Sequence, residues 1–151
     1  MKMNRFLLTG CAGFIGSHAL DLLLSKGHFV AGVGKMTYAA DEENIKRHES
    51  NPNFKFYKLD ICDQDQISKI IQDHNIECIV NFGAETHVDN SILGDNCFID
   101  SNVTGVKSLM ENCKDLNIPI CHISTDEVYG PIKVGSFGED DKLSPKNFYS
   151  A

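Results

Sequence analysis

Basic charge is what this chain most lacks: 14 lysines and arginines stand against 21 aspartates and glutamates, for a formal charge of -7. A surface with that balance offers no broad basic patch, which argues against nonspecific binding of nucleic acid or of a membrane surface. It leaves a phosphate ligand open, because backbone N–H groups hold phosphate without basic side chains. Long apolar runs are also missing. No stretch approaches the roughly 18 apolar residues of a membrane span. The longest early run is broken by Gly13, Gly16, Ser17 and His18, so it does not read as a secretory signal. The 6 cysteines (Cys11, Cys62, Cys78, Cys97, Cys113 and Cys121) contain no C-x-x-C pair, none sits at zinc spacing with a histidine, and the 6 histidines are scattered. No metal is expected. Cys78 and Cys121 fall inside apolar strand patterns, where cysteine acts as a small hydrophobe. With no export signal, the thiols read as reduced and the protein as cytoplasmic. Internal repeats and low-complexity segments are absent.

What is present suits one globular domain: 151 residues, 42% of them hydrophobic. Strand and helix patterns alternate. Arg5 to Thr9 is a short apolar run stopped by Gly10. A helical pattern follows, with Phe14, Ile15, Ala19, Leu22 and Leu23 as its apolar face and Gly27 as its stop. His28 to Val33 reads as the next strand, Asp41 to Glu49 as a polar helix, and Asn51-Pro52-Asn53 as a turn. Phe54 to Leu59 is a strand and Asp63 to His74 a helix, capped by Asp63 with Ile67, Ile70 and Ile71 on one face. Glu77 to Phe82 is a strand, Asp95 to Leu116 a long helix, and Ile118 to Ile123 a strand that looks buried. The run from Pro131 to Lys146 is a polar, turn-rich loop. This alternation predicts an α/β fold: a Rossmann-like, doubly wound parallel sheet with helices on both faces. Such sheets bind ligands at the carboxyl ends of their strands. That edge collects Gly10 to Gly16, Gly34, Asp60, Gly83 to Asp89 and Ser124 to Glu127.

Two features of that edge carry chemistry. Thr9-Gly10-Cys11-Ala12-Gly13-Phe14-Ile15-Gly16 joins a strand to a helix. Gly10 permits the tight turn, Gly13 lets the backbone approach a pyrophosphate, and Gly16 lets helix and strand pack closely. The helix N-terminus supplies unpaired N–H groups and the positive dipole end. The acid that commonly closes the second strand, where it binds the adenosine ribose, is replaced by Gly34; Asp41 is a poorly placed substitute, and the choice between NAD and NADP is left open. Asp60 and Ile61 could hold the adenine, as a carboxylate beside an apolar wall; the plain alternative for Asp60 is helix capping shared with Asp63. The second feature is Asp126-Glu127. Adjacent carboxylates repel, which suits chemistry needing one proton donor and one acceptor. An acidic turn in water is the plain alternative.

With these residues the chain resembles the extended short-chain dehydrogenase/reductases, and among them the nucleotide-sugar 4,6-dehydratases of the dTDP-glucose type. The resemblance rests on the Thr9 to His18 loop, Lys35-Met36-Thr37-Tyr38-Ala39, Asp60-Ile61, the Asn81 to Ile92 stretch and Ser124 to Gly130. The Asp-Glu pair is the most specific, since sugar epimerases of the same fold usually lack it. The resemblance implies tightly bound NAD as cofactor and a nucleotide sugar as substrate. Gly10, Gly13, Phe14, Ile15 and Gly16 would lie along the pyrophosphate, and Lys35, Met36 and Thr37 against the adenosine half with Asp60 and Ile61. Phe82, Gly83, Ala84 and Glu85 would line the path to the nicotinamide, with Ser101 and Ser124 also contacting the cofactor. Thr86 and His87 would reach the sugar, and Thr125 its 4-hydroxyl. Ser144 to Ala151 looks like the start of a Tyr-x-x-x-Lys motif, which makes Tyr149 the base for that hydroxyl.

The implied reaction is an internal oxidation and reduction. Tyr149 takes the 4-hydroxyl proton while C4 gives up a hydride; Glu127 removes the C5 proton; Asp126 protonates the departing 6-hydroxyl; the hydride returns to C6. This needs adjacent acids in a dry cleft, where their titrations separate. The chain departs from the pattern at Gly34, at Cys11 for a usual glycine and at Gly83 for a usual alanine. It also ends at Ala151, before the motif's lysine. A partial NAD(P)-binding domain is therefore expected over 1–151, with the sheet incomplete at its C-terminal end, the substrate domain absent, little turnover by this chain alone, and a homodimer only for a full-length form. A sugar epimerase or reductase of the same fold, or a non-catalytic NAD-binding remnant, are the alternatives.

Overall fold

The computed structural model describes residues 4–87, 97–147 and 149–151. Its centre is a parallel five-stranded sheet in the order β3-β2-β1-β4-β5. The strands are β1 (Arg5–Thr9), β2 (Phe29–Gly34), β3 (Phe54–Lys58), β4 (Cys78–Asn81) and β5 (Ile120–His122). Their registers align the carboxyl ends: Thr9 pairs with Val33 and with Asn81, Gly34 with Lys58, and Asn81 with His122. The chain order reverses direction at β1, between β2 and β4, which opens a crevice at that point of the edge. The doubly wound α/β expectation is met.

Successive residues of β1 point to opposite faces, and both faces are covered. Leu8 and Val30 enter one apolar cluster with Leu20 and Leu24 of helix α1 (Phe14–Ser25), with Ile45 of the short α2 (Glu43–Lys46) packed against it. Leu7, Ala31 and Val33 enter the other, with Ile67, Ile70 and Ile71 of α3 (Gln64–Asp73) and with Leu109 and Cys113 of α5 (Val106–Leu116). Asp63 caps α3 as expected, its carboxylate accepting from the Gln66 N–H at 3.2 Å.

Four sequence expectations change. The apolar face of α1 is rotated: Gly16, Ser17, Leu20 and Leu24 are buried, while Phe14 is 79% and Ile15 62% exposed. The cause is Gly16, where a Cβ would stand 2.1 Å from the Gly10 oxygen. That contact sets the helix rotation, and hydrophobic spacing then follows it. The polar helix is only Glu43–Lys46. The long helix is described from Cys97, so Asp95 lies outside the described residues; α4 (Cys97–Ile99) runs into a π-helical stretch (Asp100–Gly105) before α5. Finally, β5 is three residues long and largely exposed, Cys121 included. It is an edge strand of the described sheet, so the apolar pattern of Ile118 to Ile123 lacks a covering layer over much of its length.

Candidate functional site

The glycine loop sits at the crevice. The Gly10 N–H donates to the Val33 oxygen at 2.9 Å, and the Phe82 N–H donates to the Thr9 oxygen at 3.3 Å, so the loop is pinned between β2 and β4. Gly10 has φ +66°, and a Cβ there would stand 2.7 Å from the Phe82 carbonyl. Turn and close approach both demand glycine. No side chain caps α1, and its first turn carries no acid. The helix end therefore keeps donor capacity and a positive dipole for an anion. These are observations of fit to a dinucleotide's pyrophosphate: a loop with no room for a Cβ at Gly10 or Gly16 and an uncapped helix end beside it.

From that loop a groove runs over the ends of β2, β3 and β4, lined in part by Gly10, Gly13, Gly34, Lys35, Met36 and Thr37. Asp60, Ile61, Phe82, Gly83, Ala84, Glu85 and Ser101 complete it. Lys35 Nζ lies 2.8 Å from Asp60 Oδ2, and Asp60 Oδ1 accepts from the Cys62 N–H at 3.0 Å. Partial burial alone would raise the Asp60 pKa, but the Lys35 ammonium and the Cys62 N–H outweigh it, and the carboxyl sits below its ordinary value. Lys35 is held above its ordinary value by the same pair. The carboxylate expected to be free for adenine is thus already engaged. Burial, then the Asp60 hydrogen bond and charge, push the neighbouring Cys62 thiol up to about 11.

Residues behind the lining, which were not expected as site residues, hold Glu85 and Gly83 in place. Asn102, in the π stretch, accepts from the Glu85 N–H at 2.9 Å and donates to the Glu85 oxygen at 2.8 Å. The Tyr38 hydroxyl donates to Glu85 Oε2 at 3.1 Å. Thr9 and Asn81, both buried, are hydrogen-bonded to each other. The Gly83 N–H donates to Thr9 Oγ1 at 3.0 Å and Asn81 Oδ1 at 3.2 Å, and the Asn81 amide meets His122 Nδ1 at 2.9 Å. One polar network thereby ties β1, β4 and β5 to the groove wall. Its signal in the sequence was a polar residue ending each apolar strand.

The acids lie on a second cavity. Asp126 and Glu127 begin a 3-10 turn (Asp126–Tyr129) capped by Thr125, whose hydroxyl accepts from the Glu127 N–H at 3.2 Å. Asp126 and Glu127 line this cavity with Pro131, Phe137, Lys146 and Asn147. Asn147 Nδ2 donates to Glu127 Oε2 at 3.3 Å. The loop after the turn folds back: the Ser144 N–H donates to the Val128 oxygen at 2.9 Å and Tyr129 stacks on Phe137. Both acids are exposed, which corrects the expectation of a dry cleft. Nothing described covers them on the outer side, and water screens their repulsion.

The chain matches the GDP-mannose 4,6 dehydratase family model over residues 7–151. It belongs to that family. It is 42% identical over 147 residues to the low-salt glycan biosynthesis protein Agl12 of Haloferax volcanii, covering 96% of this chain and 47% of that protein. It is 35% identical to the dTDP-glucose 4,6-dehydratase of Haemophilus influenzae, over 99% of this chain and 48% of that one. The crystal structure of DesIV, a dTDP-glucose 4,6-dehydratase from Streptomyces venezuelae with NAD bound, superposes with a TM-score of 0.90 at 36% identity, covering 97% of this chain and 47% of that one. The chain spans about half the length of these relatives.

Of the residues expected for a member of this dehydratase family, most line one of two cavities that share no lining residue, and the others line neither. Gly10, Gly13, Lys35, Met36, Thr37, Asp60, Ile61, Phe82, Gly83, Ala84, Glu85 and Ser101 do meet on the groove. Phe14 and Ile15 do not line it: they flank the loop and face outward. Gly16 packs against Gly10 beneath it. Asp126 and Glu127 meet on the second cavity; Ser124 and Thr125 precede them on the same segment but line neither cavity. Thr86 and His87 are exposed and also line neither. Tyr149 is half-buried in a turn whose neighbours Asn147 and Ser150 line the second cavity, though Tyr149 does not. Asp89 and Ile92 lie outside the described residues.

Proposed function

We propose that this chain is the cofactor-binding and acid–base part of a nucleotide-sugar 4,6-dehydratase of the dTDP-glucose type, working with tightly bound NAD. The observation that carries this reading is the presentation of Asp126 and Glu127 on one cavity with the segment that bears Tyr149, at the same sheet edge as the glycine loop. Bound at the groove, NAD would supply reversible hydride acceptance. Gly10, Gly13 and the uncapped start of α1 hold its pyrophosphate; Ile61 and the Lys35–Asp60 pair border its adenosine; Phe82 to Glu85 with Ser101 border the other half. Thr125 and Tyr149 orient and deprotonate the sugar 4-hydroxyl, with Thr86 and His87 along the sugar. Glu127 takes the C5 proton and Asp126 gives one to the 6-hydroxyl as water leaves. The Asn147 amide steadies the Glu127 carboxylate for the acceptor role. Closure of the cavity around both acids belongs, on this reading, to the half of its relatives' length that this chain does not span.

Incubation of the intact gene product with dTDP-glucose tests this, read by mass spectrometry and NMR. Formation of the 4-keto-6-deoxy sugar with no net change in cofactor is the expected outcome. Inversion at C4 without loss of water would make it an epimerase, and net consumption of reduced cofactor a reductase.

A further inference from the structure

The adenosine end of the groove lacks the carboxylate that commonly closes the second strand of such a sheet, where it takes the ribose 2′-hydroxyl of NAD. Packing does not explain the loss. Gly34 is outside the left-handed region, and a Cβ there would meet only ring carbons of Phe56 at 3.6 and 3.7 Å, an ordinary contact. A side chain would fit, so the position is uncharged without steric need. Beside it stands a cation. Lys35 is 56% exposed, and its ammonium lies 2.8 Å from Asp60 Oδ2.

Resting on the reading of the groove as a dinucleotide site, we infer that it accepts NADP as well as NAD, with Lys35 contacting the 2′-phosphate. An ammonium has three donors, so Lys35 can keep Asp60 and still serve a phosphate oxygen. Asp60 restrains the lysine at the groove instead of leaving it loose in water. Pairing offsets the Asp60 charge and the Lys35 charge equally, so the contact to a phosphate rests on the ammonium's remaining N–H donors at short range. Asp100 acts on the ammonium more weakly and also keeps it protonated. The remaining acid on the groove, Glu85, has its carboxylate engaged by the Tyr38 hydroxyl at 3.1 Å.

Calorimetric titration of the nucleotide-stripped intact gene product with NAD and with NADP decides the matter. Dissociation constants within about tenfold of each other are expected. Gly34→Asp should weaken NADP by about thirtyfold or more and leave NAD within about threefold, because a carboxylate there repels the phosphate and serves the free hydroxyl. Lys35→Ala should weaken NADP about tenfold more than NAD, and added salt should weaken NADP more steeply. Wild-type protein that binds NAD but binds NADP more than about a hundredfold more weakly overturns the inference. So does a Gly34→Asp protein in which both nucleotides shift together. Folded protein that binds neither overturns the dinucleotide reading itself. The wild-type ratio decides even where a variant fails to fold.

Discussion

At the scale of single residues, Asp126 and Glu127 are asked to do opposite things from adjacent positions. With the intact gene product, Glu127→Gln and Asp126→Asn should each lower turnover by about 10²- to 10⁴-fold while nucleotide binding is unchanged, since neither lines the cofactor groove. Equal loss of nucleotide affinity would place the acids elsewhere in the mechanism. Asp60 makes a second residue-scale prediction. Its pKa is depressed in the fold, so the stability it contributes is present above the ordinary carboxyl range and is lost as pH falls through the depressed value. Lys35→Ala should move the Asp60 titration, followed by carboxyl NMR, upward toward the ordinary value. No movement would mean that the Cys62 N–H alone holds it down. The aspartate and its place at the edge were legible in the sequence; its partner was not, because a cation one residue past β2 is brought to it by strand pairing.

At the scale of elements, β2 and the glycine loop depend on each other through Gly32. A Cβ on Gly32 would stand 2.7 Å from Cys11 Sγ and 2.8 Å from a Phe54 ring carbon, in a buried cluster. Gly32→Ala should therefore destabilise the fold by about 1–3 kcal/mol in denaturant unfolding, and adding Cys11→Gly should recover part of that loss. Full tolerance would show that the Phe54 ring and Cys11 can step aside at no cost. The Thr9–Asn81–His122 network supplies a companion case. Asn81→Leu leaves the buried Thr9 hydroxyl without its amide partner, and should cost about 1–3 kcal/mol and loosen the Gly83 wall. Strands β1 to β4 and α3 could be read from apolar spacing because burial decides them, and the α3 cap from the residue type of Asp63; β5 could not be read as exposed, because which layer covers it is not a local property. Nor could the rotation of α1 be read, because backbone contact between Gly10 and Gly16 overrides side-chain hydrophobicity. The π stretch was equally hidden: Gly105 packs on Ile61, where a Cβ would stand 2.6 Å from its side chain, and Asn102 reaches Glu85, and both partners are distant in sequence.

At the scale of the whole molecule, burial sorts the thiols. Cys11 is fully buried, and burial pushes its pKa up to about 12, whereas Cys121 is exposed on β5. Alkylation followed by peptide mass mapping should label Cys121 first and leave Cys11 unmodified until denaturant unfolds the sheet. Early labelling of Cys11 would mean that the loop opens independently of the fold. Alternation of strand and helix, the glycine loop and the Asp-Glu pair were determined by the sequence alone, because each is a local pattern with a local physical cause. The tertiary structure alone decided which of those residues share a cavity, that Lys35 neutralises Asp60, and that the paired acids stand open to water. Those outcomes depend on strand order and on which surfaces another layer covers, and residues far apart in the chain set both.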